Sequence, residues 1–170
     1  VTFCAGLAVG GMKPVFAVYS SFLQRSYDEL IHDVSLQNLK IILAIDRAGF
    51  SGEDGEAHQG LFDVPFLNTI PNVKILCPSF LCELEIMLKE AINSQEKNII
   101  AIRYPKGGEL LKPENYSFKN LKYEFFGNLD SEVLIVTYGR IFSYAYECYQ
   151  MLKELGHEIC ILKLNMIKPL

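Results

Sequence analysis

The sequence predicts an α/β protein built on an open, mostly parallel sheet with helices on both faces, and three observations carry that reading. Short apolar runs rich in β-branched residues recur at 15–19, 41–46, 73–78 and 99–104. Each is nearly continuous in apolarity, as strands buried on both faces tend to be. The segments between them carry helical periodicity, and strand alternating with helix feeds a parallel sheet through right-handed crossovers.

Taken in order, 1-VTFCAGLAVGG-11 reads as the end of a helix closed by Gly10 and Gly11. After the strand at 15–19, Tyr27, Leu30, Ile31 and Val34 share one helix face, while Asp28, His32 and Asp33 fall elsewhere. The segment 80-FLCELEIMLKEAINS-94 repeats that pattern, with Ser79 as its N-cap and Glu83 placed to support it. After Pro105, residues 107–132 mix glycine, proline, asparagine and charge and read as a linker. The rhythm resumes with a strand at 133–139, a helix at 141–155 stopped by Gly156, and a strand at 158–167. These signals divide the chain into a domain at 1–118 and, at 119–170, the beginning of a second α/β domain that ends too soon to complete its own sheet.

Half of the 170 residues are apolar, enough to bury one substantial core. A net charge of −4 without any basic block argues against a dedicated nucleic-acid or membrane-surface binder. The longest apolar runs fall far short of the roughly 20 residues needed to span a bilayer. The N-terminus has neither an initiator methionine nor a basic n-region, so the chain reads as a piece of something longer. Five cysteines without a C-x-x-C pair suit reduced, buried thiols of a cytoplasmic protein.

The basic residues are twelve lysines and only four arginines, so the positions given to arginine are informative. Arg47 directly follows one strand, Arg103 ends another, and Arg25 lies shortly beyond a third. Ligands of open parallel sheets bind beyond the carboxyl ends of the strands, so all three could face one phosphate or carboxylate, which a guanidinium grips in a planar fork. The same positions also suit structural bridges, Arg25 to Asp28 and Arg47 to Asp46 or Asp54, and position alone does not separate the readings. The loop 46-DRAGFSGEDGEAHQG-60 releases from a strand end into four glycines, which permit close backbone approach to a small ligand. Within it, His58 could exchange a proton with a ligand oxygen and Asp54 could orient it; equally, His58 could simply hydrogen-bond the loop. His32, one turn after Asp28, reads as a surface or interface residue. Tyr19 and Phe22 stand at the mouth of the crevice, where Phe22 could stack on a heterocycle or pack into the core.

The stretches 17-AVYSSFLQRSYDELIHDV-34, 44-AIDRAGFSGEDGEAHQGLFD-63, 70-IPNVKILCPS-79 and 101-AIRYPKG-107 together resemble the pyrimidine-binding domain of the 1-deoxy-D-xylulose 5-phosphate synthase family. Residues 120–170 resemble the start of the transketolase-type C-terminal domain that follows it. The D-G-x-x-H core at Asp54, Gly55 and His58 is shared with other transketolase-like enzymes, whereas Y-S-x-F-L-Q-R with D-R-A-G is more specific. The resemblance implies decarboxylation of pyruvate on thiamine diphosphate and condensation of the two-carbon unit with D-glyceraldehyde 3-phosphate, supplying isoprenoid, thiamine and pyridoxal synthesis. It implies that Phe22 stacks on the cofactor's aminopyrimidine and that Arg47 and Arg103 bind the acceptor's phosphate, with Tyr19 nearby. Arg25, Asp54 and His58 would contact the acceptor or the cofactor-bound intermediate. It further implies a cytoplasmic homodimer, an activating glutamate just before the position of Val1, and Mg2+ held with the diphosphate by another domain. The chain alone is therefore expected to be inactive and to bind the cofactor weakly. Ala57 stands where a hydroxyl residue is usual and Lys106 where arginine is usual, with little effect expected from either. The competing readings are transketolase, a 2-oxo-acid dehydrogenase subunit, or a non-catalytic phosphate-binding module.

Overall fold

The structure, a computed structural model, describes all of residues 1–170. Strands β1 (Val15–Tyr19), β2 (Ile41–Asp46), β3 (Val73–Leu76) and β4 (Ile99–Arg103) form a parallel sheet in the order β1-β2-β4-β3. The two central strands are sealed on both faces, as their unbroken apolarity predicts: Ile41, Ile42, Leu43, Ile45, Ile99 and Ala101 are fully buried. β1 departs from that expectation, because it is an edge strand and Val15 is 45% exposed.

Alternation along the strands sends successive side chains to opposite layers. Ile41, Leu43, Ile45, Ile75 and Ile99 pack with Leu23, Leu30, Val34 and Leu67 into the larger core. That layer holds helix α1 (Thr2–Val9), the helical stretch 20–35, and helix α4 (Asp63–Thr69). The stretch 20–35 is not one regular helix. It runs from α2 (Ser20–Leu23) through a 3-10 turn (Gln24–Ser26) and α3 (Tyr27–Glu29) into a π-helical segment (Leu30–Ser35). Leu30 and Val34 are buried as their spacing predicts, whereas Tyr27 is 38% exposed. On the opposite layer, α5 (Leu81–Asn93) packs Met87 and Ala91 on Ile42, Ile100 and Ile102.

The cap of α5 differs from the sequence expectation. Phe80, not Ser79, is the N-cap, and the Ser79 hydroxyl has no partner. Only half of the expected exchange exists: the Ser79 amide donates to Glu83 Oε2 at 2.7 Å. Glu83 is drawn inward because its other oxygen meets Lys163 Nζ at 2.9 Å. The Tyr116 hydroxyl lies 2.6 Å from Glu83 and 2.9 Å from Glu124, and Lys163 meets Glu124 at 3.2 Å. This buried network joins α5 to a second, three-stranded sheet.

The second sheet comprises β5 (Tyr123–Gly127), β6 (Leu134–Tyr138) and β7 (Cys160–Leu164), with α6 (Ile141–Glu154) packed on one face through Phe142 and Ala145. β5 lies inside the stretch expected to be a linker. Its alternation is inverted, with Glu124 buried and Tyr123 and Phe125 about half exposed, so hydropathy hides it. The strand expected at 158–167 is split by Asn165, whose amide donates to the Lys122 carbonyl. Beyond it, β8 (Met166–Lys168) runs antiparallel to β3 and becomes the fifth strand of the first sheet. No helix of the chain is long and apolar enough to cross a membrane.

Candidate active site

Parallel register lines up the site. Tyr19 at the end of β1 pairs with Asp46 at the end of β2, and Ile45, one residue earlier, pairs with Arg103 at the end of β4. The strand ends therefore deliver a phenol, a carboxylate and a guanidinium to one edge of the sheet, where open α/β sheets bind ligands.

At that edge β2 turns sharply. Arg47 adopts φ +54, a conformation that costs a β-carbon-bearing residue energy and is retained only where surroundings over-determine it. The surroundings do so: its amide donates to Asp46 Oδ1 at 2.7 Å, its Nη1 also bonds the Asp46 carboxylate, and its Nε reaches Asp54 Oδ2 at 3.4 Å. Its guanidinium carbon lies 4.1 Å from the centre of the Tyr19 ring. Arg47 thus bridges the strand end, the aromatic residue of β1 and the glycine-rich loop.

That loop is closed at its neck by reciprocal backbone hydrogen bonds between Gly49 and Gly60, both 2.8 Å. Gly60 is required there, since a Cβ would lie 2.0 Å from the Arg47 carbonyl oxygen and 2.8 Å from Ser20 Cβ. Inside the loop the Gln59 amide accepts from the Ser51 N–H and donates to the Ser51 and Gly55 carbonyls. His58 Nδ1 lies 3.1 Å from the Asp54 carbonyl oxygen. A carbonyl can only accept, so Nδ1 carries the proton and Nε2 presents a lone pair in the neutral ring. The imidazole stands edge-on to Phe22 and Tyr19, with centroids 5.2 and 6.1 Å away, and Tyr19 and Phe22 stack at 5.6 Å. Phe22 remains 43% exposed.

The side chains named from sequence separate into three groups. Tyr19, Phe22, Arg47, Asp54 and His58 meet. Arg103 stands beside them on the sheet edge but turns to Asp63, which it holds at 2.8 and 3.2 Å, and it faces Tyr138. Arg25 is exposed on the 3-10 turn and forms no ion pair; Asp28, its expected partner, lies 3.0 Å from His32 at the surface instead. Arg47 lines a cavity of about 350 Å³ and Arg103 a neighbouring one of about 760 Å³. Arg140, at the start of α6, lines both.

Sequence reasoning passed over Asp63, Gln59 and Arg140, and set Lys106 beside the site rather than in it. The Lys106 ammonium lies 2.5 Å from Asp54 Oδ1 and 3.7 Å from Glu53. Bonding to Lys106, reinforced by Arg47, holds the Asp54 carboxyl below its usual range, and bonding to Asp54 raises Lys106 in turn. Of these, Lys106 alone left a signal in the sequence: a basic residue three positions after the end of β4. No group of three or more His, Cys, Asp and Glu side chains in the chain could hold a metal ion.

The model of the family described as transketolase, pyrimidine binding domain matches residues 1–108. Over its whole length the chain is 43% identical to 1-deoxy-D-xylulose-5-phosphate synthase of Clostridium kluyveri and 44% identical to that of Clostridium tetani, and it covers 27% of each. It therefore spans about a quarter of the length of the curated relatives it matches. Among solved structures, a split-gene transketolase described as an inactive β4 tetramer superposes with a TM-score of 0.82 at 21% identity, over 98% of this chain and 54% of that one. Transketolase of Pichia stipitis superposes with a TM-score of 0.78 at 18% identity, over 90% of this chain and 23% of that one, a likeness of fold.

Proposed function

The chain belongs to the family of transketolase pyrimidine-binding domains over residues 1–108, and from that membership we infer that it supplies the aminopyrimidine- and acceptor-binding part of a 1-deoxy-D-xylulose-5-phosphate synthase. In this reading residues 1–118 are the pyrimidine-binding domain and 119–170 begin the domain after it. The full-length protein is a cytoplasmic homodimer that takes pyruvate and D-glyceraldehyde 3-phosphate.

The observation that carries the reading is the nest of Tyr19, Phe22 and His58 with Arg47 lying over Tyr19. A half-exposed Phe22, backed by one ring and edged by another, fits a flat heterocycle. Thiamine diphosphate, if held there, would supply the carbon nucleophile for decarboxylation of pyruvate. Phe22 is the residue that would hold its aminopyrimidine. Its diphosphate and Mg2+ are assigned to residues outside this chain.

Arg47 and Arg103 bring fixed positive charge to the acceptor's phosphate, each pre-oriented by carboxylates rather than free to reorganise. Tyr19 lies under the Arg47 guanidinium and supports it from the end of β1. Arg25, which makes no ion pair, is available to a ligand from the exposed side. His58, its Nδ1–H fixed by the Asp54 carbonyl, turns Nε2 to the acceptor, where the neutral ring takes up a proton from an acceptor hydroxyl and the doubly protonated ring returns it to an acceptor oxygen. Asp54 places that carbonyl and balances Arg47 and Lys106.

Turnover of pyruvate and D-glyceraldehyde 3-phosphate by the full-length protein, with no ketose donor, is the expected result; an absolute demand for a ketose donor points to transketolase instead. In the same protein Arg47→Ala should raise the KM for the aldehyde far more than that for pyruvate. Equal losses for both substrates remove Arg47 from the phosphate site. Calorimetric titration of the 170-residue chain with thiamine diphosphate and Mg2+ should give binding weaker than micromolar, about 8 kcal/mol being the threshold.

A further inference from the structure

We propose that Lys106, anchored by Arg140 from the start of α6, is the positioning residue that fixes Asp54 and, through the Asp54 backbone, the proton-bearing nitrogen of His58. The catalytic meaning of this rests on the reading above; the positioning itself rests on contacts within the chain.

Lys106 approaches Asp54 from the segment after β4, fifty-two positions away along the chain. Its carbonyl accepts a hydrogen bond of 2.8 Å from Arg140 Nη1. The adjoining Gly107, at φ +101, leaves room for that guanidinium: a Cβ there would lie 3.2 Å from Arg140 Nη1. Arg140 therefore sets the height of the Lys106 backbone, and the lysine's reach sets the position of Asp54. Asp54 offers three handles at once. Its Oδ1 goes to Lys106, its Oδ2 to Arg47, and its carbonyl to His58 Nδ1.

The loop has little else to hold this corner. Between Gly52 and Gly55 the chain is restrained by the Asp54 amide bonded to the Ser51 carbonyl and by the Gln59 side chain. Without Lys106, Arg47 alone would face both Asp46 and Asp54, and the nearer Asp46 would keep it. The Asp54 corner would then swing, and the imidazole would lose the acceptor that chooses its tautomer. An arginine at position 106 can make the same contact, whereas an uncharged side chain cannot. The charged groups facing Asp54 are Lys106 and Arg47, with Glu53 and Asp46 behind them, so loss of Lys106 leaves Asp54 with one weaker cationic partner.

The test pairs a structural with a kinetic readout. In the 170-residue chain, Lys106→Met should move the Asp54 carboxyl titration, followed by carbon-13 NMR, to higher pH and mix the His58 tautomers seen by nitrogen-15 shifts. Lys106→Arg should leave both near wild type, and Arg140→Met should change both in the direction of Lys106→Met but less. In the full-length protein Lys106→Met should lower kcat by about tenfold or more, the size of effect expected when a charge-assisted hydrogen bond that orients a proton-transfer group is removed. It should also move the acid limb of the pH profile upward, with restoration by arginine. An Asp54 titration and His58 tautomer unchanged in Lys106→Met overturn the inference even if the wild-type enzyme is a synthase. An inactive wild-type protein overturns the functional reading while leaving the NMR result to stand.

Discussion

Arg103 holds Asp63 through both carboxylate oxygens, Nε to Oδ2 at 2.8 Å and Nη2 to Oδ1 at 3.2 Å, and Asp63 is wholly removed from solvent. The pair joins the end of β4 to the first turn of α4, so a guanidinium assigned to an acceptor's phosphate also carries the packing of that helix. Asp63→Asn should lower unfolding stability by about 3–5 kcal/mol, because removing one partner of a buried pair strands the other charge. Urea denaturation measures this; a loss below about 1 kcal/mol would show that the fork is not structurally committed.

The neck of the loop makes a contrast between two glycines. Gly60→Ala should cost stability at the upper end of the about 1–3 kcal/mol typical of overpacking, since the Arg47 carbonyl in its way is backbone. Gly52→Ala, with nothing within 4 Å of its new methyl, should be nearly neutral. Thermal unfolding of both variants checks the pair, and equal effects would deny the close approach at Gly60.

Phe22 separates binding from stability. Because it is 43% exposed, Phe22→Ala should cost the chain only about 1 kcal/mol. In the full-length protein it should weaken thiamine diphosphate binding by about two- to thirteenfold, the worth of one aromatic pair of about 0.5–1.5 kcal/mol. Titration of cofactor against the variant reads this directly.

The buried network between the sheets should be graded. Lys163→Met leaves Glu83 and Glu124 without their cation and should cost about 3–5 kcal/mol. Tyr116→Phe removes only a hydroxyl and should cost about 1–3 kcal/mol. Chemical denaturation in which Tyr116→Phe proved the more damaging would reverse the assignment of the lysine as the centre of the network.

Cys77 lies fully buried beside Arg103, and burial pushes its thiol up from 9.0 to about 12. A thiol raised in the folded state contributes stability below its unfolded value, and that contribution is lost as pH rises from about 9 towards about 12. Alkylation at pH 8 should therefore label exposed Cys148 in the native chain and reach Cys77 only after denaturation. Native labelling of Cys77 would show that the α4–β4 corner opens.

The strands that build the first sheet were legible from their continuous apolar runs, those at 15–19 and 41–46 matching β1 and β2 residue for residue, although only the central strands are buried on both faces and β1 is a partly exposed edge. Hydropathy failed where burial and polarity part company. Glu124 faces the interior of β5 while Tyr123 and Phe125 face outward, so a strand carries the pattern of a linker. The cap of α5 failed for a related reason, since Glu83 answers to Lys163, eighty positions later.

By itself the sequence determined the parallel sheet and its two helical layers, because these follow from local periodicity and from where each strand stops. It also carried the resemblance that names Tyr19, Phe22, Arg25, Arg47, Asp54, His58 and Arg103. Only the tertiary structure decided which charges meet. Arg103 goes to Asp63, Lys106 to Asp54, and Arg140 to the Lys106 carbonyl, each across thirty or more positions of chain. Ion pairs of that kind have no period to read; they are fixed by strand register and by which carboxylate lies within about 3 Å of a donor once the layers have closed.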